Sequence, residues 1–156
     1  MGNTRWLTNS EQQLWRSFLE TNQRVFRQVD EQLQADFDLT NSEFGVLALL
    51  SEADEQQLRA KDLGDQLGWE RSRISHQITR MQKRGLVEKR KCPVDSRGIF
   101  VHITEQGMKR LKEAAPSHVE TVRESLLAPL SNDEQQQLFH LLEKIRLPLS
   151  DPAPSE

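Results

Sequence analysis

Hydrophobic residues recur along this chain at helical spacing in one segment after another, with a single stretch of strand-like alternation between them. Leu14, Phe18, Val25, Val29 and Leu33, separated by Gln, Glu and Arg, predict a helix over 10–37. At 1.5 Å per residue it would run roughly 40 Å, beyond the reach of a small core, so its beginning is expected to pack against something else. Asp38-Leu39-Thr40-Asn41 breaks the pattern, and Thr40 or Asn41 can cap a second helix with Glu43 in its first turn. Phe44, Val46, Leu47, Leu49 and Leu50 make that helix apolar on most sides, as a central core helix would be. After the acidic loop Glu52-Ala53-Asp54-Glu55, Leu63 and Leu67 mark a third helix over 60–67 that Gly68 closes. A fourth helix follows Trp69-Glu70 and runs to Arg84, where Gly85 stops it. Ile74, Ile78 and Met81 form its buried stripe, leaving Arg71, Ser72, Arg73, Ser75, His76, Gln77 and Arg80 on other faces. Two short helices joined by a glycine-containing turn are the pattern of a helix-turn-helix.

The period then changes. Leu86-Val87-Glu88-Lys89-Arg90 and Ile99-Phe100-Val101-His102-Ile103 read as strands flanking the turn Pro93-Val94-Asp95-Ser96-Arg97-Gly98, a hairpin with a charged tip. Thr104 can cap a fifth helix whose stripe runs Met108, Leu111, Ala115, Val119, Val122, Leu126, continuous but bent at Pro116. Ser131-Asn132-Asp133-Glu134 fits a capping box and opens a sixth helix with Leu138, Leu141, Leu142 and Ile145 on one face, ended by Pro148. The polar, Pro-rich residues of 148–156 are expected to be disordered. The whole reads as one mainly α (α+β) domain over 1–156. A winged helix-turn-helix spans 40–103, and the long helices over 10–37 and 104–147 carry apolar stripes with no sufficient core of their own, which suggests a homodimer.

Length and composition agree with that size of unit: 156 residues, 35% hydrophobic and 29% charged. No apolar run approaches a membrane span and Met1-Gly2-Asn3-Thr4-Arg5-Trp6 lacks the pattern of a signal peptide, so the chain reads as soluble and cytoplasmic. The net charge of −3 conceals an asymmetry: residues 59–97 hold eleven basic side chains against five acidic ones, a surplus of +6, which leaves the remainder at −9. A basic module in an acidic frame is the footprint of a protein that meets a polyanion, although a charged, solvated face would give the same count.

The residue types in that module suit double-stranded DNA. A helix fits the major groove, where cations, hydroxyls and amides can reach phosphates or base edges. Arg71, Ser72, Arg73, Ser75, His76, Gln77 and Arg80 are the candidates on the fourth helix, with Arg73, His76 and Gln77 preferred as base readers. Lys89, Arg90 and Lys91 suit phosphates. Arg97 at the hairpin tip suits a narrow minor groove, with Asp95 either orienting it or holding it in a turn contact. Ser75 and His76 are adjacent on a helix and point about 100° apart, so they form no nucleophile–base pair, and no phosphate loop or HExxH motif is present. The single Cys92 and the scattered histidines offer no disulfide and no metal-ligand spacing, and neither metal nor cofactor is expected. Cys92 lies among cations at the base of the wing, where an oxidant could reach it, but a structural thiol is the simpler reading.

The stretch Asp62-Leu63-Gly64-Asp65-Gln66-Leu67-Gly68-Trp69-Glu70-Arg71-Ser72-Arg73-Ile74-Ser75-His76-Gln77-Ile78-Thr79-Arg80-Met81, followed by Arg84-Gly85-Leu86-Val87-Glu88-Lys89, resembles the MarR (multiple antibiotic resistance regulator) family of transcription factors. So do the wing residues Asp95-Ser96-Arg97-Gly98 and the following Ile103-Thr104-Glu105-Gln106-Gly107. The resemblance covers nearly the whole chain. It implies a bacterial or archaeal homodimer interlocked through its first, fifth and sixth helices, binding a pseudo-palindromic operator, usually as a repressor that a small ligand or an oxidant releases. In the family such ligands lodge between the dimer-forming helices and the winged domain. Trp15, His118 and Arg123 could line that crevice here, although Trp15 reads more simply as core and His118 as an ordinary polar group. The rival reading is a winged helix that binds a protein partner instead of DNA.

Overall fold

The computed structural model describes residues 2, 4–91 and 98–149. Its elements are α1 (Asn9–Phe37), α2 (Asn41–Glu52), β1 (Gln57–Arg59), α3 (Ala60–Leu67), α4 (Arg71–Lys83), β2 (Val87–Lys91), β3 (Ile99–Ile103), α5 (Glu105–Val122) and α6 (Asn132–Arg146). Side-chain caps set most helix starts. Thr8 with Glu11, Thr40 with Glu43 and Ser131 with Glu134 each form a reciprocal capping box, satisfying backbone donors that a helix leaves unpaired. Gly68 takes the left-handed conformation past the end of α3, as its position predicts.

The core lies where α2 is surrounded. Val46, Leu47 and Leu50 of α2 pack with Val29 and Leu33 of α1, Leu63 of α3, Ile74, Ile78 and Met81 of α4, Val101 and Ile103 of β3, and Leu111 and Ala114 of α5. The three strands form an antiparallel sheet in the order β1-β3-β2, with Leu58 opposite Val101 and Val87 opposite Ile103. Alternation puts those residues on the core side and Glu88 and Arg90 on the other face; Lys89 and Lys91 share the face of Val87 but lie farther along the strand, where they are exposed. One junction fixes the sheet to α5. The Thr104 hydroxyl donates to the Gly85 carbonyl at 2.6 Å and accepts from the Gly107 amide at 3.0 Å, while the Thr104 amide donates to the Leu86 carbonyl at 3.1 Å. Gly107 packs so closely there that a Cβ would stand 2.2 Å from the Leu86 oxygen.

Two sequence expectations need correction, at the loop after α2 and at the chain's tail. The loop after α2 contains a 3-10 turn (Asp54–Gln56) and the short strand β1, whose pairing with the distant β3 leaves no local periodicity to read. The expected continuity through Pro116 holds, since α5 runs from Glu105 to Val122, and past its end the hydrogen bonding shifts to a π-type turn at Arg123–Leu127. Pro148 and Leu149, expected in the disordered tail, belong to a 3-10 turn (Leu147–Leu149) that extends α6.

The first half of α1 and all of α6 leave apolar side chains uncovered. Leu14, Trp15 and Phe18 on α1, and Phe139, Leu141 and Ile145 on α6, are each about half exposed or more. Among the described residues of α6 none is buried. No helix among the described residues is long and apolar enough to cross a membrane.

Candidate nucleic-acid interface

The inward stripe of α4 determines which of its side chains can meet a ligand. With Ile74, Ile78 and Met81 in the core, Arg71, Ser72, Arg73, Ser75, His76 and Arg80 stand exposed. Glu70 precedes the helix without capping it through its side chain, so the amides of the first turn point toward where an anion would approach.

Gln77 departs from expectation. It is only 6% exposed, because it lies one turn after Ile74 and one before Met81 and shares their face. Its Oε1 accepts from Arg80 Nη2 at 2.7 Å, so in this structure it supports an exposed arginine.

Arg73 is held differently. Its guanidinium carbon lies 4.2 Å from the centre of the Trp69 indole. A guanidinium over an indole face gains a cation–π attraction, and its N–H donors are the fork that pairs with guanine or phosphate. Trp69 itself packs half-buried against the core, so the platform is fixed. An indole four residues ahead of Arg73, just before α4, is the sequence signal for this platform.

On the wing, Lys89, Arg90 and Lys91 are exposed along β2. Lys89 Nζ donates to Thr79 Oγ1 at 3.3 Å, which brings the wing strand against α4. Arg90 pairs with Glu88 at 3.3 Å, a solvent-exposed contact weak enough for a phosphate to displace. Asp95 and Arg97 of the wing turn, and Cys92 at its base, lie outside the described residues.

Comparison with known proteins places this arrangement. A family model described as "Transcriptional regulator SarA/Rot" matches residues 28–114. The solved structure of AbsC, a MarR family transcriptional regulator from Streptomyces coelicolor, is 38% identical with a TM-score of 0.88, over 94% of this chain and 98% of that one. Sco3205, a MarR family regulator from the same organism solved in complex with DNA, is 33% identical with a TM-score of 0.91, over 100% of this chain and 97% of its own. The transcriptional regulator HosA of Escherichia coli O111:H- is 31% identical over 108 residues, 69% of this chain and 78% of that protein. The chain belongs to the MarR family of transcriptional regulators.

In this MarR-family regulator the three effector candidates have separate surroundings. Trp15 is not in the chain's own core: it is 52% exposed and stacks on Phe18 with ring centres 6.2 Å apart. His118 lies with its ring 4.0 Å from that of Phe44, and its Nδ1 is buried without a hydrogen-bond partner among the described residues. That burial lowers its pKa from the ordinary 6.5. Arg123 pairs with Glu120 at 2.6 Å on the surface of the π-type turn. An open cleft of about 650 Å³ lies elsewhere, between β3 and the first half of α5, lined by Gln56, His102, Met108, Lys109 and Lys112 among others.

Proposed function

We propose that this regulator binds double-stranded DNA as a homodimer, each copy setting α4 into the major groove of one half-site and its wing strand along the neighbouring phosphates. The observation that carries the reading is the outer face of α4, where Arg71, Ser72, Arg73, Ser75 and His76 stand exposed beside the cations of β2 while the opposite stripe is locked into the core. Supporting it, the relative Sco3205 was solved in complex with DNA. The homodimer rests on the apolar residues of α1 and α6 that this chain leaves uncovered, a surface a second copy can bury. Two-fold symmetry then spaces the α4 helices about one DNA turn, roughly 34 Å, apart and calls for a pseudo-palindromic site. Such a protein works in the cytoplasm of a bacterium. Repression, relieved by a small molecule or another signal, is the regulatory mode we assign to it.

The test is selection of bound duplexes from a genomic pool, followed by footprinting across a salt series. A protected two-fold site whose affinity falls steeply with salt supports the reading. Affinity indifferent to ionic strength, or retention of protein partners with no duplex, overturns it in favour of a protein-binding winged helix. Adding aromatic acids and common metabolites to the selected complex tests the effector; no release by any of them rejects that part for those compounds.

A further inference from the structure

We propose that Arg84 is a positioning residue for DNA reading, fixing the end of the reading helix α4 to the end of the dimer-forming helix α1 and so setting the distance between the two α4 helices of a dimer. The proposal rests on the homodimer reading above.

α1 ends in a way that calls for outside help. Asp38 caps it in the left-handed conformation, at φ 51°, and its last turn carries no basic residue to answer the partial negative charge of its free carbonyls. Two arginines from distant elements supply it. Arg110 of α5 donates from Nη1 to the Phe37 carbonyl at 2.9 Å. Arg84, the residue that closes α4, donates from Nη2 to the Asp38 carbonyl at 2.6 Å and to its carboxylate at 3.0 Å. Its Nη1 meanwhile meets both oxygens of the buried Glu43 carboxylate, at 2.7 and 2.5 Å. That carboxylate already accepts from the Thr40 amide at 3.0 Å, at the start of α2.

One guanidinium thus joins the end of α4 to the end of α1 and the start of α2. The two kinds of contact have different consequences. Packing of Ile74, Ile78 and Met81 holds α4 in a core that also takes in Val29 and Leu33 of α1, through contacts with no fixed direction, and the bond to Glu43 fixes α4 to α2. The bonds to Asp38 add to that packing a directed tie at the end of the helix expected to dimerise. A planar guanidinium making charge-assisted bonds in fixed directions permits little rotation without breaking them. DNA repeats about every 34 Å, so a small swing of each winged unit takes the two α4 helices out of register with their half-sites.

The experiment uses the full-length protein and the best duplex it selects from a random-sequence pool, remade as a series in which the spacer between half-sites is lengthened or shortened by one and two base pairs. Asp38→Asn keeps a side chain that tolerates the left-handed conformation and removes the charge that Arg84 meets at 3.0 Å and Arg110 at 3.9 Å, and Arg110→Gln, measured beside it, separates the two. Arg84→Gln removes the guanidinium, and Arg84→Lys keeps charge without the fork. Wild type is expected to show a sharp optimum. Arg84→Gln is expected to flatten it, losing about tenfold at the optimal spacing while changing little at the others, with Arg84→Lys in between; Asp38→Asn, which leaves the bond to the Asp38 carbonyl in place, is expected to flatten it in the same direction by less. Thermal melts and sizing check folding and assembly; if Arg84→Gln fails to fold because Glu43 is left buried and unpaired, Asp38→Asn decides. A profile of unchanged shape, whether its affinities fall uniformly or stay put, overturns the proposal and leaves Arg84 a purely structural residue. Wild type that prefers no spacing at all, or binds no duplex, instead brings down the homodimer reading beneath it.

Discussion

Arg73 and Trp69 carry the sharpest consequence at the scale of single residues. An arginine held over an indole loses less side-chain entropy on meeting a base than a mobile one does. Arg73→Ala is therefore expected to cost about 1–3 kcal/mol on the selected duplex, and much less on a scrambled one, by fluorescence anisotropy titration. Trp69→Phe, which keeps an aromatic ring with a weaker face, should cost less, and only while Arg73 is present. An equal loss from Trp69→Phe in the Arg73→Ala background would show that the indole merely packs. His118 carries a prediction of a different kind. Its folded pKa lies below 6.5, so above that pH it is neutral in both folded and unfolded chains and has no effect. As pH falls through 6.5 the unfolded chain takes up a proton that the folded one resists, and folding loses stability until the folded pKa is passed. His118→Phe, which retains a ring against Phe44, should blunt this loss; urea midpoints that fall in parallel for the two proteins between about pH 7.5 and pH 5.5 reject the assignment.

At the scale of elements, two glycines in helices should respond to alanine with opposite signs. Alanine is ordinarily the better helix residue by about 1 kcal/mol. At Gly45 in α2 the new methyl would meet Leu67 Cδ2 at 3.7 Å, an ordinary contact, so Gly45→Ala should raise the melting temperature. At Gly107 the methyl would strike the Leu86 carbonyl, forcing α5 off the turn that Thr104 ties down, and Gly107→Ala should destabilise by about 1–3 kcal/mol. Melts of the two variants check both signs. The same contrast marks what the sequence makes legible. Helix ends announced by local chemistry are readable: the Thr40–Glu43 and Ser131–Glu134 boxes and the turn at Gly68 stand where the residues place them. The stripe of α4 also predicts which of its cations face outward. Features made by distant partners are not readable, and Arg84 meets Glu43 and Asp38 across 41 and 46 residues of chain. β1 is too short to show a period before it pairs with β3. Gln77 was misplaced for a smaller reason: its polarity suggested solvent, while its angular position put it beside Ile74 and Met81.

Over the whole molecule, charge and uncovered apolar surface divide the chain into regions with different tasks. The surplus of +6 over residues 59–97 faces an excess of −9 in the rest, so a nearby polyanion is attracted to the winged unit and repelled from the helices behind it. α1 joins the two regions. Its second half, with Val29 and Leu33, is in the core, while Leu14 and Phe18 continue the same stripe into solvent. Phe18→Asp should therefore leave the fold of the single chain nearly intact, since Phe18 is 48% exposed there, and should still break the proposed dimer. Sedimentation would show a monomer of about 18.1 kDa. The effect on DNA then follows from counting phosphates. The slope of log affinity against log salt is set by how many phosphates the protein neutralises, so a monomer on one half-site should show about half the slope of the dimer on two. Affinity should fall further than either half-site's own binding accounts for, because the second winged unit is no longer held at high effective concentration beside its site. A monomeric variant with the full wild-type slope would mean that one chain alone covers the whole site, which the single outward face of α4 and its adjoining β2 could not do.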